Sequence, residues 1–186
     1  RNTSIGTDAM HFNTTGIHNT AVGYFAGYSN TTTGYNTFLG AYSGYSNAGT
    51  YNTAIGEEAL YSNYTGAYNS AMGYYALHDN TASGYNTAIG SYSMQSNTYA
   101  AYNVAVGYGA LNTQSYSNSS TTFNTYNVAV GPFALYYNNP TATTNGYANV
   151  GVGYEALEFN TTGYQNTGVG HFALSSNITG YQNTAI

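Results

Sequence analysis

The sequence predicts an all-β chain that folds as a parallel β-solenoid, or β-roll, of ten coils with about 17 residues per coil. Three observations support this prediction. A tripeptide of a small residue, an aliphatic residue and glycine recurs along the chain, asparagine always stands two residues before it, and glycine, asparagine, threonine and tyrosine dominate the composition. A repeat this short and this poor in helix formers suits one coil of short strands and tight turns.

The recurring tripeptide divides the chain into units, and we number positions within a unit from its first residue. Successive units are 16 or 17 residues apart, except where insertions near 112–123 and 137–146 lengthen the spacing to 24 and 22. We expect both insertions to be loops on one side of a regular stack. Residues 1–186 therefore form one repeat domain, which we expect to be a segment of a longer array or fibre. The units start near residues 4, 21, 38, 54, 71, 88, 105, 129, 151 and 168.

Several positions are nearly invariant from unit to unit. Position six is alanine or serine, and position seven is leucine or methionine in eight units and glycine in two, at Gly27 and Gly44. Position three is always glycine, which suits a tight turn. These turn glycines are Gly6, Gly23, Gly40, Gly56, Gly73, Gly90, Gly107, Gly131, Gly153 and Gly170.

The asparagine before each tripeptide occupies position sixteen. Identical asparagines stacked in adjacent coils can hydrogen-bond along the axis, and tyrosines such as Tyr35, Tyr51, Tyr68, Tyr85 and Tyr102 can stack in the same way. We therefore predict a structural asparagine ladder. It comprises Asn19, Asn36, Asn52, Asn69, Asn86, Asn103, Asn127, Asn149, Asn166 and Asn183.

The strand of each unit has two faces, as Asn86–Gly90 illustrates. Thr87 and Ile89 share one face, and the small residues share the other. Because valine replaces the threonine in three units, we predict that Thr87 and Ile89 point inward. The small residues would then form a flat, uncharged outer strip, which favours lateral self-association. A second, shorter strand is predicted around the Ala-Leu pair at positions six and seven.

Charge excludes several classes of partner. The chain has one basic residue, six acidic residues, no cysteine and a net charge of −5. A nucleic-acid interface needs many lysines and arginines, so we expect no nucleic-acid partner. No apolar run reaches the length of a membrane span. Because a lysine-free chain rich in hydroxyl and amide groups is unusual in the cytoplasm, we predict an extracellular location.

Catalytic and metal signals are weak, and we expect neither an enzyme nor a cofactor. Glu58 and Glu155 share position five but lie five coils apart, too far for a carboxylate pair. The four histidines lack the spacing of metal ligands. The Asn-x-Ser/Thr sequons are a stronger signal, because five of them share position ten. The candidate glycosylation sites are Asn2, Asn13, Asn30, Asn63, Asn118, Asn160 and Asn177.

The motifs NTAIG, within GYNTAIG, together with NTTGYQNTGVG and AIGEEALYSNYTG, give the chain a family resemblance. The whole chain resembles the head repeats of trimeric autotransporter adhesins. It also resembles the Asn-Thr-Ala-Ile-Gly repeats of tail-fibre-like and adhesin-like surface proteins of bacteria and phages. This resemblance implies a left-handed parallel β-roll, usually trimeric, used for attachment at a cell or virion surface.

These observations favour a structural or adhesive fibre component that binds copies of itself, as a trimer or as a helical fibril. Two alternatives remain open. An ice-binding solenoid needs a flat, regular threonine array, and here the threonine column is interrupted and predicted to point inward. A glycan-binding head, with surface glycans as partners, would use the tyrosine-rich turns.

Overall fold

The computed structural model describes residues 1–115 and 122–186, and in this part of the chain all regular structure is β-strand. Eleven three- or two-residue strands stack in chain order as one parallel sheet. This confirms a parallel β-solenoid of about ten coils. The strands are β1 Thr3–Ile5, β2 Thr20–Val22, β3 Thr37–Leu39, β4 Thr53–Ile55, β5 Ser70–Met72, β6 Thr87–Ile89, β7 Ser96–Asn97, β8 Ala100–Ala101, β9 Val104–Val106, β10 Thr113–Gln114, β11 Phe123–Asn124, β12 Val128–Val130, β13 Val150–Val152, β14 Thr167–Val169 and β15 Thr184–Ala185.

The strands pair without any slip in register. Each position faces the same position of the next coil, as in Thr20↔Thr37 and Ala21↔Phe38. The two insertions leave this register intact, because Val104 pairs with Val128 and Val128 pairs with Val150. One repeat unit is therefore one coil, and the coils rise by about 4.8 Å each.

The predicted second strand around positions six and seven is wrong, because this part of the coil consists of turns. Glu58 and Leu60 have φ values of 54°, and such left-handed residues break the pleat of an extended strand. The backbone still pairs between coils: Leu60 N donates to Ala76 O at 2.9 Å, and Ser62 N donates to His78 O at 2.8 Å. Stacking of the coils therefore provides hydrogen-bond partners for the backbone of the turns as well as for the backbone of the sheet.

The predicted orientation of the strands is also wrong. The alternation is as expected, but Ala88 is fully buried and Ile89 is 38% exposed, so the small residue faces the core. The reason is visible at Gly168, where an added Cβ would lie 2.9 Å from Ala173 O and 3.3 Å from Leu157 Cγ. Where leucine occupies position seven, the coil is too narrow to hold a large side chain at position one.

The core is a column of small side chains at positions one and six, completed by larger ones at position seven. The position-one and position-six alanines are fully buried from Ala21 to Ala134. The fully buried position-seven residues are Leu60, Leu77, Met94, Leu111, Leu135 and Leu157. One coil therefore buries very little apolar surface by itself, and stability comes from the stack.

The two insertions are described to different extents. Both described ends of the first insertion extend the coil, because β10 pairs with β7 and β11 pairs with β8, and the loop predicted between them, at residues 116–121, lies outside the described residues. Within the second insertion, Asn145 Oδ1 accepts hydrogen bonds from the backbone N of Thr141 and Ala142, at 3.0 and 3.1 Å. These bonds close a compact turn beside the stack.

Candidate functional surfaces

The outward face of the eleven-stranded sheet is a regular surface that runs along the stack of coils. It carries two columns of side chains, and we call the two columns together the strand face. The first column consists of the threonine, serine or valine that precedes position one in each unit. The second column consists of the aliphatic residues at position two. Met72, Ile89 and Val130 are 37–39% exposed, and Leu39 is 46% exposed. No strand of the sheet contains a charged residue.

The strand face replaces the surface that the sequence predicted. The alanines and asparagines expected to form an outer strip are buried, so the self-association argument built on that strip does not hold. The same reversal turns the threonine column outward. Its members are Thr3, Thr20, Thr37, Thr53, Ser70, Thr87, Val104, Val128, Val150, Thr167 and Thr184.

The asparagines of position sixteen connect neighbouring coils through their side chains. Asn52 Oδ1 accepts a hydrogen bond from the backbone N of Asn69 at 2.9 Å, and Asn52 Nδ2 donates to Gly66 O at 2.8 Å. The backbone-to-Oδ1 bond recurs at each step from Asn2 to Asn183. The buried side-chain amides therefore serve as hydrogen-bond partners for backbone groups that find no backbone partner in the turn.

The asparagines of position ten form a second column, and five of the predicted glycosylation sites occupy this position. Asn63 Nδ2 donates to Asn47 Oδ1 at 2.6 Å and to Gly66 O at 2.7 Å. Asn30, Asn63 and Asn160 are fully buried. An N-linked sugar replaces one of these amide hydrogens, and the folded coil leaves no room for it.

The remaining sequons differ in accessibility. Asn13 and Asn177 are half-buried in the first and last coils, whereas Asn2 is exposed. Asn118 lies outside the described residues. The Nδ2 atom of Asn13 is nevertheless buried, and that of Asn177 donates to Asn160 Oδ1 at 2.9 Å. The shared position of the sequons therefore marks a structural column, and glycosylation stays a prediction for Asn2, Asn118 and Asn177.

The glycines of position three lie at the end of each strand, where the chain turns. Gly56 has a φ of 127°, and a Cβ added there would lie 2.6 Å from Gly73 O. Both the backbone conformation and the close approach of the next coil therefore require glycine.

The predicted tyrosine stack is confirmed. The aromatic residues of position fifteen form one column, in which neighbouring ring centroids are 4.7–5.4 Å apart. The column consists of His18, Tyr35, Tyr51, Tyr68, Tyr85, Tyr102 and Tyr126. The tyrosines of this column are 42–53% exposed. Because the rings stack face to face along the axis, the column presents ring edges and hydroxyl groups to solvent. It flanks the threonine column of the strand face, two residues away along each coil.

Glu58 belongs to a small polar cluster that the sequence did not reveal. His78 Nε2 lies 3.1 Å from Glu58 Oε2, and His78 Nδ1 lies 2.8 Å from Asp79 Oδ1. The hydrogen bond between Tyr75 and the Glu58 carboxylate, aided by burial, raises the pKa of the Tyr75 hydroxyl. The cluster joins position five of one coil to position eight of the next, a pairing visible only when the units are stacked.

Glu155 and Glu158 lie near each other on another coil. Burial raises the pKa of the Glu158 carboxyl, and the charge of Glu155 adds to the effect. Across residues 1–115 and 122–186, no group of three or more histidine, cysteine or acidic side chains is arranged to hold a metal ion.

Among the described residues, three of the cavities that open to solvent lie along the turns. One of about 270 Å³ borders Tyr68, Tyr85 and Tyr102, and one of about 440 Å³ lies beside the second insertion. The third, of about 210 Å³, is lined by Tyr92, Gln95, Tyr108, Gly109, Asn112, Phe133 and Tyr136. Aligning the units could have revealed this third cavity, because Gly109 is the only glycine at position five.

Within the described ranges, no helix is long and apolar enough to cross a membrane. Comparison of the chain with family models, with curated proteins and with solved structures gives no match.

Proposed function

We propose that the protein is a structural component of an extracellular fibre, and that its strand face binds a second copy of the same chain. The observation that carries the proposal is the strand face itself. It is an uncharged, partly aliphatic surface that continues across all eleven strands of the sheet. Contiguous apolar surfaces of this kind mark interaction sites on soluble proteins.

Periodicity favours a second copy as the partner. The rows of the strand face repeat at the coil spacing, about 4.8 Å. A partner can match every row only if it has the same repeat, and another copy of this chain meets that condition. The absence of charge also removes like-charge repulsion between two identical faces.

The size of the face agrees with an interface that includes the tyrosine column. A strip roughly 50 Å long and 10 Å wide offers about 500 Å², whereas a standard stable interface buries about 800 Å² per partner. The tyrosines of position fifteen adjoin the strip and would supply the difference. Tyrosine is enriched at such interfaces because it is large, rigid and amphipathic.

Sedimentation velocity and electron microscopy over a range of concentrations test the proposal. The informative variant is Ile55→Lys with Ile89→Lys, which puts two charges on the strand face. Its matched control is Thr31→Lys with Thr65→Lys, since both threonines are exposed and lie away from the strand face. We expect the wild type and the control to associate and the strand-face variant to remain monomeric. A wild type that stays monomeric at high concentration, or a variant that still associates, would overturn the proposal.

Ice binding is a second candidate, favoured by the outward orientation of the threonine column. Threonine hydroxyls and methyl groups repeat at the strand spacing on the sheet, although Ser70 and three valines interrupt them. If the face binds ice, the monomeric protein will shape ice crystals and show thermal hysteresis, and Thr53→Lys will weaken both. If its role is fibre assembly alone, neither effect will be seen.

A further inference from the structure

Five tyrosines of position fifteen have nearly parallel rings, one in each of five successive coils. Their φ values lie between 58° and 63°, so the same backbone conformation places every side chain alike. Hydrogen bonds between coils hold this backbone, as where Tyr68 N donates to Thr50 O at 3.1 Å. Neighbouring ring centroids are 4.7–4.9 Å apart, and neighbouring ring planes differ by 2–9°. We call these five residues the tyrosine ladder, and they are Tyr35, Tyr51, Tyr68, Tyr85 and Tyr102.

The ring carbons ortho to the hydroxyl groups are the reactive atoms of the ladder. Because the rings are nearly parallel and one coil apart, equivalent carbons of neighbouring rings lie about as far apart as the centroids. That distance is only about 1 Å longer than the contact distance of two carbons, about 3.5–4.0 Å. The ladder side chains are 42–51% exposed, and exposed side chains change rotamer within nanoseconds. The ortho carbons of neighbouring rings can therefore meet without any change in the backbone.

We propose that the tyrosine ladder is a site of oxidative cross-linking, in which neighbouring rings of one chain are joined as dityrosine. The oxidant is a peroxide acting with a haem peroxidase, which removes one electron and one proton from each of two neighbouring phenols. The two phenoxyl radicals form a carbon–carbon bond between their ortho carbons. The hydrogen on each of these carbons then moves to the phenoxyl oxygen and restores the phenol. The two rings lose two hydrogen atoms in total, and one hydrogen peroxide accepts them and becomes two water molecules.

Dityrosine would connect the coils covalently in a chain that has no other side chain suited to this. The sequence has no cysteine, so no disulfide can join one coil to the next. A bond between neighbouring ladder rings closes a loop of 16 or 17 residues, and closing such a loop restricts the unfolded chain. We therefore expect the cross-linked chain to unfold at a higher temperature. The inference does not rest on self-association, because each bond lies within one chain.

Other tyrosines separate the effect of exposure from the effect of stacking. Tyr24 and Tyr74, at position four, are 47% and 41% exposed, much like the ladder tyrosines. The same position of the coils on either side holds no tyrosine, and their ring contacts with the next coil are edge-on, at 89° and 87°. Tyr45 and Tyr61 stack like the ladder rings but are half-buried. The ladder therefore combines an accessible phenol with a parallel partner ring.

Oxidation of the whole folded chain with hydrogen peroxide and a peroxidase, at high dilution, tests the proposal. We expect dityrosine fluorescence, a mass loss of two hydrogen atoms per cross-link, and a chain that keeps its monomer mass on a denaturing gel. Mass spectrometry of a peptic digest should find joined peptides from neighbouring ladder positions, such as Tyr68 with Tyr85. The same reaction in urea should join tyrosines without regard to the ladder. Absence of dityrosine, the same pattern in the folded and the unfolded chain, or cross-links only between copies would overturn the proposal.

Two double variants assign the stabilisation to the ladder. Tyr51→Phe with Tyr85→Phe keeps the stacked rings but leaves no two neighbouring phenols in the ladder. The matched control, Tyr24→Phe with Tyr74→Phe, removes as many exposed phenols and leaves the ladder intact. We expect oxidation to raise the thermal midpoint of the wild type and of the control by about 5 °C or more, and that of the ladder variant by less than half as much. An equal rise in the two double variants would overturn the assignment.

Discussion

The Phe38 ring occupies the space that a side chain at Gly44 would need. Phe38 stands at position one and is fully buried. In each of the nine remaining coils this position is alanine, glycine or serine. A Cβ added at Gly27 would lie 2.6 Å from Cδ2 of this ring, and one at Gly44 would lie closer still to the opposite edge. Only two units have glycine at position seven, namely Gly27 and Gly44. Both of these glycines lie against Phe38, which is the one large residue at position one.

This relationship predicts strong coupling between the three positions. Phe38→Ala leaves a cavity and should cost about 3–5 kcal/mol, and Gly44→Leu should also destabilise because it overpacks the core. Combining Gly27→Leu, Phe38→Ala and Gly44→Leu restores the arrangement of the other coils and should recover most of the loss. Leu60 and Leu77, with φ values of 54° and 53°, show that the backbone accepts leucine. Urea unfolding of the single and triple variants measures the coupling, and additive losses would contradict it.

The position-ten column predicts that Asn63 matters for stability and that its sequon does not. Asn63→Ala removes the bonds to Asn47 and Gly66 and the one from Asn80, at about 1 kcal/mol each. Thr65→Val destroys the same sequon without touching the column, and it should change stability by less than about 0.5 kcal/mol. Thermal and denaturant unfolding of the two variants check this pair. Equal losses of stability in the two variants would mean that the sequon, and not the amide column, determines the contribution of Asn63 to stability.

The position-ten column is interrupted where Gln114 faces Asn97. Asn97 Oδ1 and both polar atoms of the Gln114 amide are buried without hydrogen-bond partners. Gln114→Asn should continue the column and raise the free energy of unfolding by about 1–3 kcal/mol. Gln114→Leu should gain less, because it leaves Asn97 Oδ1 unpaired. If leucine stabilises as much as asparagine, closure of the ladder is not the cause.

The raised pKa of Glu158 predicts a pH-dependent penalty. A carboxyl whose pKa is higher in the folded state favours the protonated form, so its contribution to stability is present at low pH and lost as the pH rises through that pKa. Glu158→Gln should therefore raise the thermal midpoint at pH 7 and change it little below about pH 4, near the ordinary glutamate pKa. The gain should be small because the side chain is half-exposed and solvent screens its charge. Glu57→Gln, at an exposed residue, is the control, and an equal gain at both pH values would contradict the assignment.

Much of the fold could be predicted from recurrence alone. A residue such as Asn86, restated every 17 residues, must meet the same surroundings in each coil, so the parallel register and the number of coils follow from the spacing. The Tyr35–Tyr51 stack follows for the same reason. The candidate sites were less predictable, because the cluster around His78 and the cavity beside Gly109 are formed by different positions of neighbouring coils.

The amino-acid sequence by itself determined the period, the ten coils, the parallel sheet and which residues form columns. Only the tertiary structure decided which face of each strand is inside. Alternation makes Ala88 and Ile89 point in opposite directions, but it does not say which direction is the core. The width of the coil decides, since position one faces the backbone and the position-seven side chain, and a leucine at position seven leaves no room for a large side chain at position one. The small residues therefore line the interior, and the aliphatic and threonine columns become the surface.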